Sequence, residues 1–276
     1  MTLQKVAVAP APRGRPRVSA IYGPVYSWRY RQSLGVDLLL RDSVCSLQCA
    51  YCQLGRINVH TRARRVYVTT SRVLDDLDAA AWKSSNVITF SGSGEPTLAA
   101  NLGESIVAIR KATRKPIVVL TNSTLLNDAA VRAELAAADT IACKLDAPSD
   151  DMFRKLNHPI PGVTHADLIA GLKKLRTEFT GKLALQLMLM PINAGAADRF
   201  APWIAEIAPD EVQINVPSRP KPREWSLATR GEHQEFGAAN GFRLLPHEEV
   251  AGFARDLAQR TGVRVIAPPA AAHSRA

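Results

Sequence analysis

Cys45, Cys49 and Cys52 fall in one short stretch, Cys45-Ser-Leu-Gln-Cys49-Ala-Tyr51-Cys52, of a chain with only four cysteines in 276 residues. Three thiolates at this C-x3-C-x2-C spacing can cap three irons of a 4Fe–4S cluster, whose usual complement is four cysteines. The fourth iron is then open to a ligand, as other catalytic metals keep a free position. Two simpler chemistries compete with this reading. A tetrahedral zinc site needs a fourth donor, which His60 or the distant Cys143 could supply. A disulfide needs an oxidising compartment, and no segment reads as a secretion signal. His60 lies among Arg62, Arg64 and Arg65 and reads as a surface residue, while Cys143 reads as a small core residue.

A second segment carries chemistry. The strand-like residues 86–90, Asn-Val-Ile-Thr-Phe, run into Ser91-Gly92-Ser93-Gly94-Glu95-Pro96-Thr97. Gly92 and Gly94 are free to adopt positive φ and let a ligand approach the backbone. Glu95 adds a carboxylate at the mouth of that turn. A glycine turn after a strand is a weak signal alone. Some 40 residues beyond the last of the three cysteines, it is a strong one.

The elements that position these groups alternate between short apolar runs and amphipathic stretches, the pattern of βαβ units. Strands are expected at residues 34–40, 86–90, 116–121, 140–146, 183–190 and 211–216. Helices are expected at 71–82 with Ser71 as N-cap, after the glycine turn to about 112, at 127–138, 149–156, 163–179 and 247–261. A short strand closes the chain at 263–266, and the prolines at 217, 220 and 222 impose an extended loop. Six strand–helix steps give an α/β fold, a partial (β/α)6 barrel of parallel strands with the cysteine loop after the first. Ligands of such folds gather at the C-terminal ends of the strands. Strand alternation sends Lys144 and Asp146 to one face, and Gln186, Met188 and Met190 to one face. With Glu95, Asn122, Gln213 and Asn215 these make a polar lumen that a closed apolar core would not tolerate. Lys144 stands out, because a lysine in a cavity can hold a carboxylate or form a Schiff base. A simple pairing of Lys144 with Asp146 is the structural alternative. The chain divides into a flexible basic arm (1–20), the barrel core (21–220), a C-terminal extension packed on it (221–270) and a disordered tail (271–276).

The cysteine spacing, the aromatic Tyr51 before the third cysteine, and Ser93-Gly94-Glu95 after a strand resemble the radical S-adenosylmethionine (SAM) superfamily. That resemblance implies one 4Fe–4S cluster on Cys45, Cys49 and Cys52 whose open iron chelates SAM. Reductive cleavage of SAM then gives a 5′-deoxyadenosyl radical that abstracts hydrogen from a substrate. It implies that Gly92, Ser93, Gly94 and Glu95 receive SAM's amino group, with Ser93 a small departure from the usual glycine. It implies adenine near Tyr51 and ribose near Asn122 or Gln186, and leaves Lys144 and Asp146 facing the substrate. Segments such as Tyr22-Gly-Pro-Val25, Ser33-Leu-Gly-Val-Asp37, Lys144-Leu-Asp-Ala147 and Phe153-Arg-Lys-Leu-Asn157 are similar to a group of short Fe–S oxidoreductases. Some of these are labelled by analogy with the tRNA wybutosine enzyme. That enzyme is associated with a second cluster, and this chain keeps only Cys143 beyond the motif.

The net charge is +10, and residues 1–65 hold eleven basic residues against Asp37 and Asp42. Such a patch attracts RNA, an acidic electron donor or an anionic substrate. No aromatic-rich RNA-binding signature accompanies it. The expected partners are therefore a small-molecule substrate and a reductase or a flavodoxin- or ferredoxin-type electron donor, with RNA at the basic N-terminal region as the alternative. A non-catalytic metal module that binds nucleic acid is the reading of another class. No apolar run is long enough for a membrane helix, and free cysteines fit a reducing cytoplasm.

Overall fold

The computed structural model describes residues 18–40, 42–217, 221–230, 239–240 and 243–270. The arm at 1–17, the tail at 271–276 and part of the proline-rich loop lie outside the described residues.

The chain opens with an antiparallel hairpin, β1 (Ile21–Ser27) and β2 (Arg31–Val36). Two short strands, β3 (Val44–Cys45) and β4 (Val59–His60), pair in parallel and bracket the cysteine loop. Then come α1 (Thr70–Asp78), β5 (Val87–Phe90), α2 (Leu102–Thr113), β6 (Ile117–Thr121), α3 (Ala129–Leu135) and β7 (Thr140–Lys144). After α4 (Asp150–Asn157) and α5 (His165–Glu178), the order continues β8 (Lys182–Met188), α6 (Ala197–Ile207) and β9 (Glu211–Asn215). A small antiparallel pair, β10 (Lys221–Pro222) and β11 (Ala239–Asn240), precedes α7 (His247–Thr261) and β12 (Val265–Ile266).

The main sheet has eight strands in the order β1-β2-β5-β6-β7-β8-β9-β12. Every pair from β2 to β12 is parallel. Its curl makes the α/β half-barrel anticipated from the alternation of elements. Parallel strands are buried on both faces, which is why their sequences read as nearly continuous apolar runs. Leu34, Ile88, Phe90, Ile117, Val119, Ile141, Leu183, Leu185, Val212 and Ile214 are all fully buried.

Several boundaries differ from expectation for physical reasons. The strand expected at 34–40 ends at Val36, because Asp37 Oδ1 accepts the backbone N–H groups of Leu39 (3.0 Å) and Leu40 (3.1 Å) and turns the chain. The antiparallel partner β1 was not anticipated. The strand expected to 146 ends at Lys144, where the Asp146 side chain takes over the pairing, its Oδ1 accepting the N–H of Met188 at 2.8 Å. Thr69, two residues before Ser71, caps α1. Asp128 caps a shorter α3. The helix α6 is an addition. Its buried residues Ala197, Phe200, Ile204 and Ile207 follow helical spacing, and Pro202 within it masks the signal.

Candidate active site

A cavity of about 450 Å3 opens among the C-terminal ends of β5 to β9 and runs down to the turn between β1 and β2. Cys45, Cys49 and Cys52 line one side of it. Their loop is held from below and from the side. Val44 N–H donates to the Ser93 carbonyl (2.9 Å) and Glu95 N–H to the Val44 carbonyl (2.9 Å). Gln48 and Ala50 N–H groups donate to carbonyls at the end of α4. Asn122 Nδ2 lies 3.3 Å from Cys45 Sγ, and Asn157 Nδ2 lies 3.4 Å from Cys49 Sγ. Burial raises all three thiols, Cys52 to about 11. They are neutral until something withdraws their protons, as a metal ligand set must.

The glycine turn packs against this loop. Gly94 has φ +152°, and a Cβ there would stand 1.8 Å from the Val44 carbonyl oxygen. Gly92 has φ +125°, and a Cβ there would meet the Asp37 side chain at 2.5 Å. Both glycines line the cavity, so the backbone itself is the wall at this point. Ser93 does not line it. Its hydroxyl turns away and donates to Asp37 Oδ2 at 2.6 Å. Asp37 is fully buried and also takes the Arg230 guanidinium at 3.2 Å.

Glu95 lines the cavity but its carboxylate is well supplied by the protein. Oε1 accepts Thr97 N–H (3.1 Å), Thr97 Oγ1 (2.7 Å) and Thr121 Oγ1 (2.7 Å), and Oε2 accepts Asn122 N–H (2.5 Å). Burial raises its pKa, against the four hydrogen bonds that favour the anion. Glu95 thus ties the end of β6 to the glycine turn and orients Asn122, whose Nδ2 also donates to Ser46 Oγ at 3.0 Å.

Opposite lies a network built on Asp146, whose side chain is fully buried. Tyr51 donates its hydroxyl hydrogen to Asp146 Oδ2. Lys144 Nζ donates to Tyr51 OH (2.6 Å) and to Asp146 Oδ2 (3.1 Å), and Asn157 Nδ2 to Asp146 Oδ2 (2.8 Å). Burial works to lower the Lys144 ammonium, but Asp146 and the neighbouring thiols outweigh it and hold its pKa above the ordinary lysine value. Burial and the Asp146 charge push Tyr51 well up, so it stays a phenol. Lys144 is therefore a charged donor locked to a carboxylate, which suits it to bind an anion rather than to attack as a free amine. Asp146 is walled off from the cavity; Lys144, Tyr51, Asn122 and Gln186 face it. Gln186 Nε2 donates to Gln213 Oε1 at 2.9 Å.

Of the residues singled out from the sequence for the lumen and the site, Gln213 and Met190 do not line this cavity, and the rest do so except Ser93 and Asp146. Those two brace the wall from behind. Sequence reasoning missed the Asp37–Arg230 pair, the bracing amide Asn157, and the turn Trp28-Arg29-Tyr30 that floors the cavity. Asp37 and Asn157 lay inside recognised segments without a role. Arg29 carried no signal beyond its charge.

The donor set discriminates between metals. Among the described residues no three His, Cys, Asp or Glu side chains converge to hold a single ion. His60 is exposed and Cys143 is fully buried on β7, so neither completes a tetrahedral zinc site with the loop cysteines. Three soft sulfurs arrayed around one cavity fit the corners of an iron–sulfur cluster.

Comparison with known proteins agrees with this geometry. A model described as the radical SAM superfamily matches residues 43–200. The chain is 46% identical over 215 residues to the UPF0026 protein slr1464 of Synechocystis sp., covering 78% of this chain and 81% of that protein. Its fold is similar to that of a radical SAM methyltransferase from Sphaerobacter thermophilus, with TM-score 0.62, 18% identity, and coverage of 86% of this chain and 65% of that one. It is also similar to archaeal TYW1, with TM-score 0.56, 14% identity, and coverage of 89% and 79%. At such identities these structures share the fold alone. Among the described residues no helix is long and apolar enough to cross a membrane. By the family match and the cysteine loop it covers, the chain belongs to the radical SAM superfamily and is an enzyme of that superfamily.

Proposed function

We propose that this enzyme carries one 4Fe–4S cluster on Cys45, Cys49 and Cys52, binds SAM along Gly92, Gly94, Asn122 and Gln186, and abstracts hydrogen from a small molecule in the same cavity. The observation that carries this is the joint lining of one open cavity by the three cysteines, the glycine turn and the Lys144 face. When bound, cluster and SAM supply a 5′-deoxyadenosyl radical. The protein's part is to hold the thiols, exclude water and orient the substrate carbon. Asn122 and Asn157 steady Cys45 and Cys49 through N–H···S contacts, and Tyr51 ties the cysteine loop to β7 through Asp146. The one cysteine of this sequence beyond the loop is Cys143, fully buried in β7, a single thiol where a second all-cysteine cluster needs several. This weakens the analogy with the wybutosine enzyme.

A small substrate is favoured over RNA by how the described basic residues are used. Arg64 is bound to Glu134 (2.6 Å) and to the carbonyls of Thr97 and Ala99, Arg62 donates to the Gly162 carbonyl, and Arg65 lies over Tyr67. A flavodoxin- or ferredoxin-type protein or a reductase supplies the electron, in a cytoplasm that keeps four free cysteines reduced.

The test is anaerobic reconstitution with iron and sulfide, then dithionite and SAM, scored for 5′-deoxyadenosine. About four irons per chain and 5′-deoxyadenosine, both lost in Cys49→Ala, are expected. Stoichiometric zinc, or an iron cluster that leaves SAM intact, overturns the reading.

A further inference from the structure

Resting on the reading above, the geometry points to an anionic small molecule as the substrate, held through a carboxylate or phosphate by Arg29 at the floor of the cavity. Arg29 sits in the turn between β1 and β2, flanked by the rings of Trp28 (5.5 Å) and Tyr30 (5.7 Å). All three residues line the cavity. Tyr30 OH accepts Gln213 Nε2 at 3.2 Å, which fastens the turn across the lumen to β9.

Among the described residues, the Arg29 guanidinium is the one cation lining this cavity with no salt-bridge partner. Its Nε and Nη1 are buried without a hydrogen-bond partner among the described residues. Burial lowers its pKa despite the attraction of Glu211. Glu211 itself is engaged elsewhere, by Gln213 Nε2 (2.7 Å) and Lys182 Nζ (2.8 Å). The other cations on the wall are matched, Lys144 by Asp146 and Arg230 by Asp37. An arginine cannot shed its proton to escape burial, so a ligand that brings negative charge to this half-buried guanidinium stabilises it. Its planar donors suit a carboxylate or a phosphate, and two aromatic faces keep the plane fixed.

Position completes the argument. The six residues of β2 separate the turn from the segment leading to the cysteine loop, a span of roughly 20 Å. An acid group anchored at Arg29 leaves the far part of a small molecule directed toward the cysteine end. Lys144 and Gln186 flank the path between the two.

Thermal unfolding of the reconstituted protein with SAM tests this, using inorganic phosphate and succinate at matched ionic strength in sodium chloride. At least one of the two is expected to raise the Tm of the wild type by about 3 °C at several times its Kd. The shift is expected to vanish in Arg29→Met, to shrink in Arg29→Lys, and to persist in the surface control Arg199→Met. Ligand-free Arg29→Met is expected to melt no lower than wild type, because an unmatched buried charge has been removed. A response to phosphate alone identifies a phosphorylated substrate, and a response to succinate alone a carboxylic acid. Equal shifts in wild type and Arg29→Met, no shift with either anion, or a marked fall in Tm in ligand-free Arg29→Met overturns the inference. These readouts are independent of 5′-deoxyadenosine formation, so failure of the radical reading is scored separately.

Discussion

Gly94 shows how little freedom the site leaves at the residue scale. A methyl group there collides with the Val44 carbonyl, which is backbone and cannot rotate aside, and φ +152° strains any L side chain. Gly94→Ala is therefore expected to cost more than about 3 kcal/mol in urea unfolding. Iron bound after reconstitution is expected to fall with it, because Val44 begins the cysteine loop. A loss below about 1 kcal/mol with full iron would mean the turn is not wedged against β3. The residues behind the wall follow the same logic. Asp37, Glu95 and Asp146 are buried acids, each supplied with protein donors, and each fixes a segment that a ligand would touch. Their types were visible in the sequence. Which of them faced the lumen was not, because a two-residue alternation places a side chain on a face but does not say where a strand stops.

At the scale of elements, α5 shows how a helix start supports the site. His165 is its first residue, and Nε2 pairs with the Ala147 carbonyl at 2.9 Å, just after the Asp146 network. The ring meets Trp203 edge to face at 5.7 Å. Burial lowers its pKa, and the helix N-terminus adds to the cost of a positive charge. The unfolded chain thus takes up a proton, at a pKa near about 6.5, that the folded chain refuses. Stability from this group is present above that pH and is lost as pH falls through it toward the folded value. The urea midpoint is expected to drop between pH 7.5 and pH 5.5, and His165→Gln, which keeps a donor for Ala147, is expected to flatten that part of the profile. An unchanged slope in the variant would assign the acid sensitivity elsewhere. The β1–β2 hairpin is the element that the sequence concealed. Its polar, aromatic turn resembles any exposed loop until the sheet curls and brings β9 within reach of Tyr30.

At the scale of the whole molecule, the half-barrel is closed off on one side by the C-terminal segment. β12 pairs with β9, and α7 buries Val250, Phe253 and Leu257, with Phe253 edge to face on Phe200 of α6 at 6.2 Å. Removing residues 243–276 would expose that apolar surface and leave β9 as a bare parallel edge. The truncated chain is expected to aggregate, as measured by light scattering, where the full chain stays monodisperse. A monodisperse truncated chain with a native melting transition would show that the extension is dispensable.

The sequence by itself determined the superfamily, the three-cysteine motif and the alternation of strands and helices. These depend on local spacing: thiols within one loop, glycines beside one strand, and apolar periods along single elements. Tertiary structure alone decided which polar residues face the cavity, that Ser93 and Asp146 stand behind its wall, and that Arg29 lies on its floor. Those outcomes depend on hydrogen bonds and charges between residues far apart in the chain, such as Ser93 with Asp37 and Arg230, or Tyr51 with Asp146. Curling the sheet brings such partners together, and no local pattern encodes which of many possible pairs will meet.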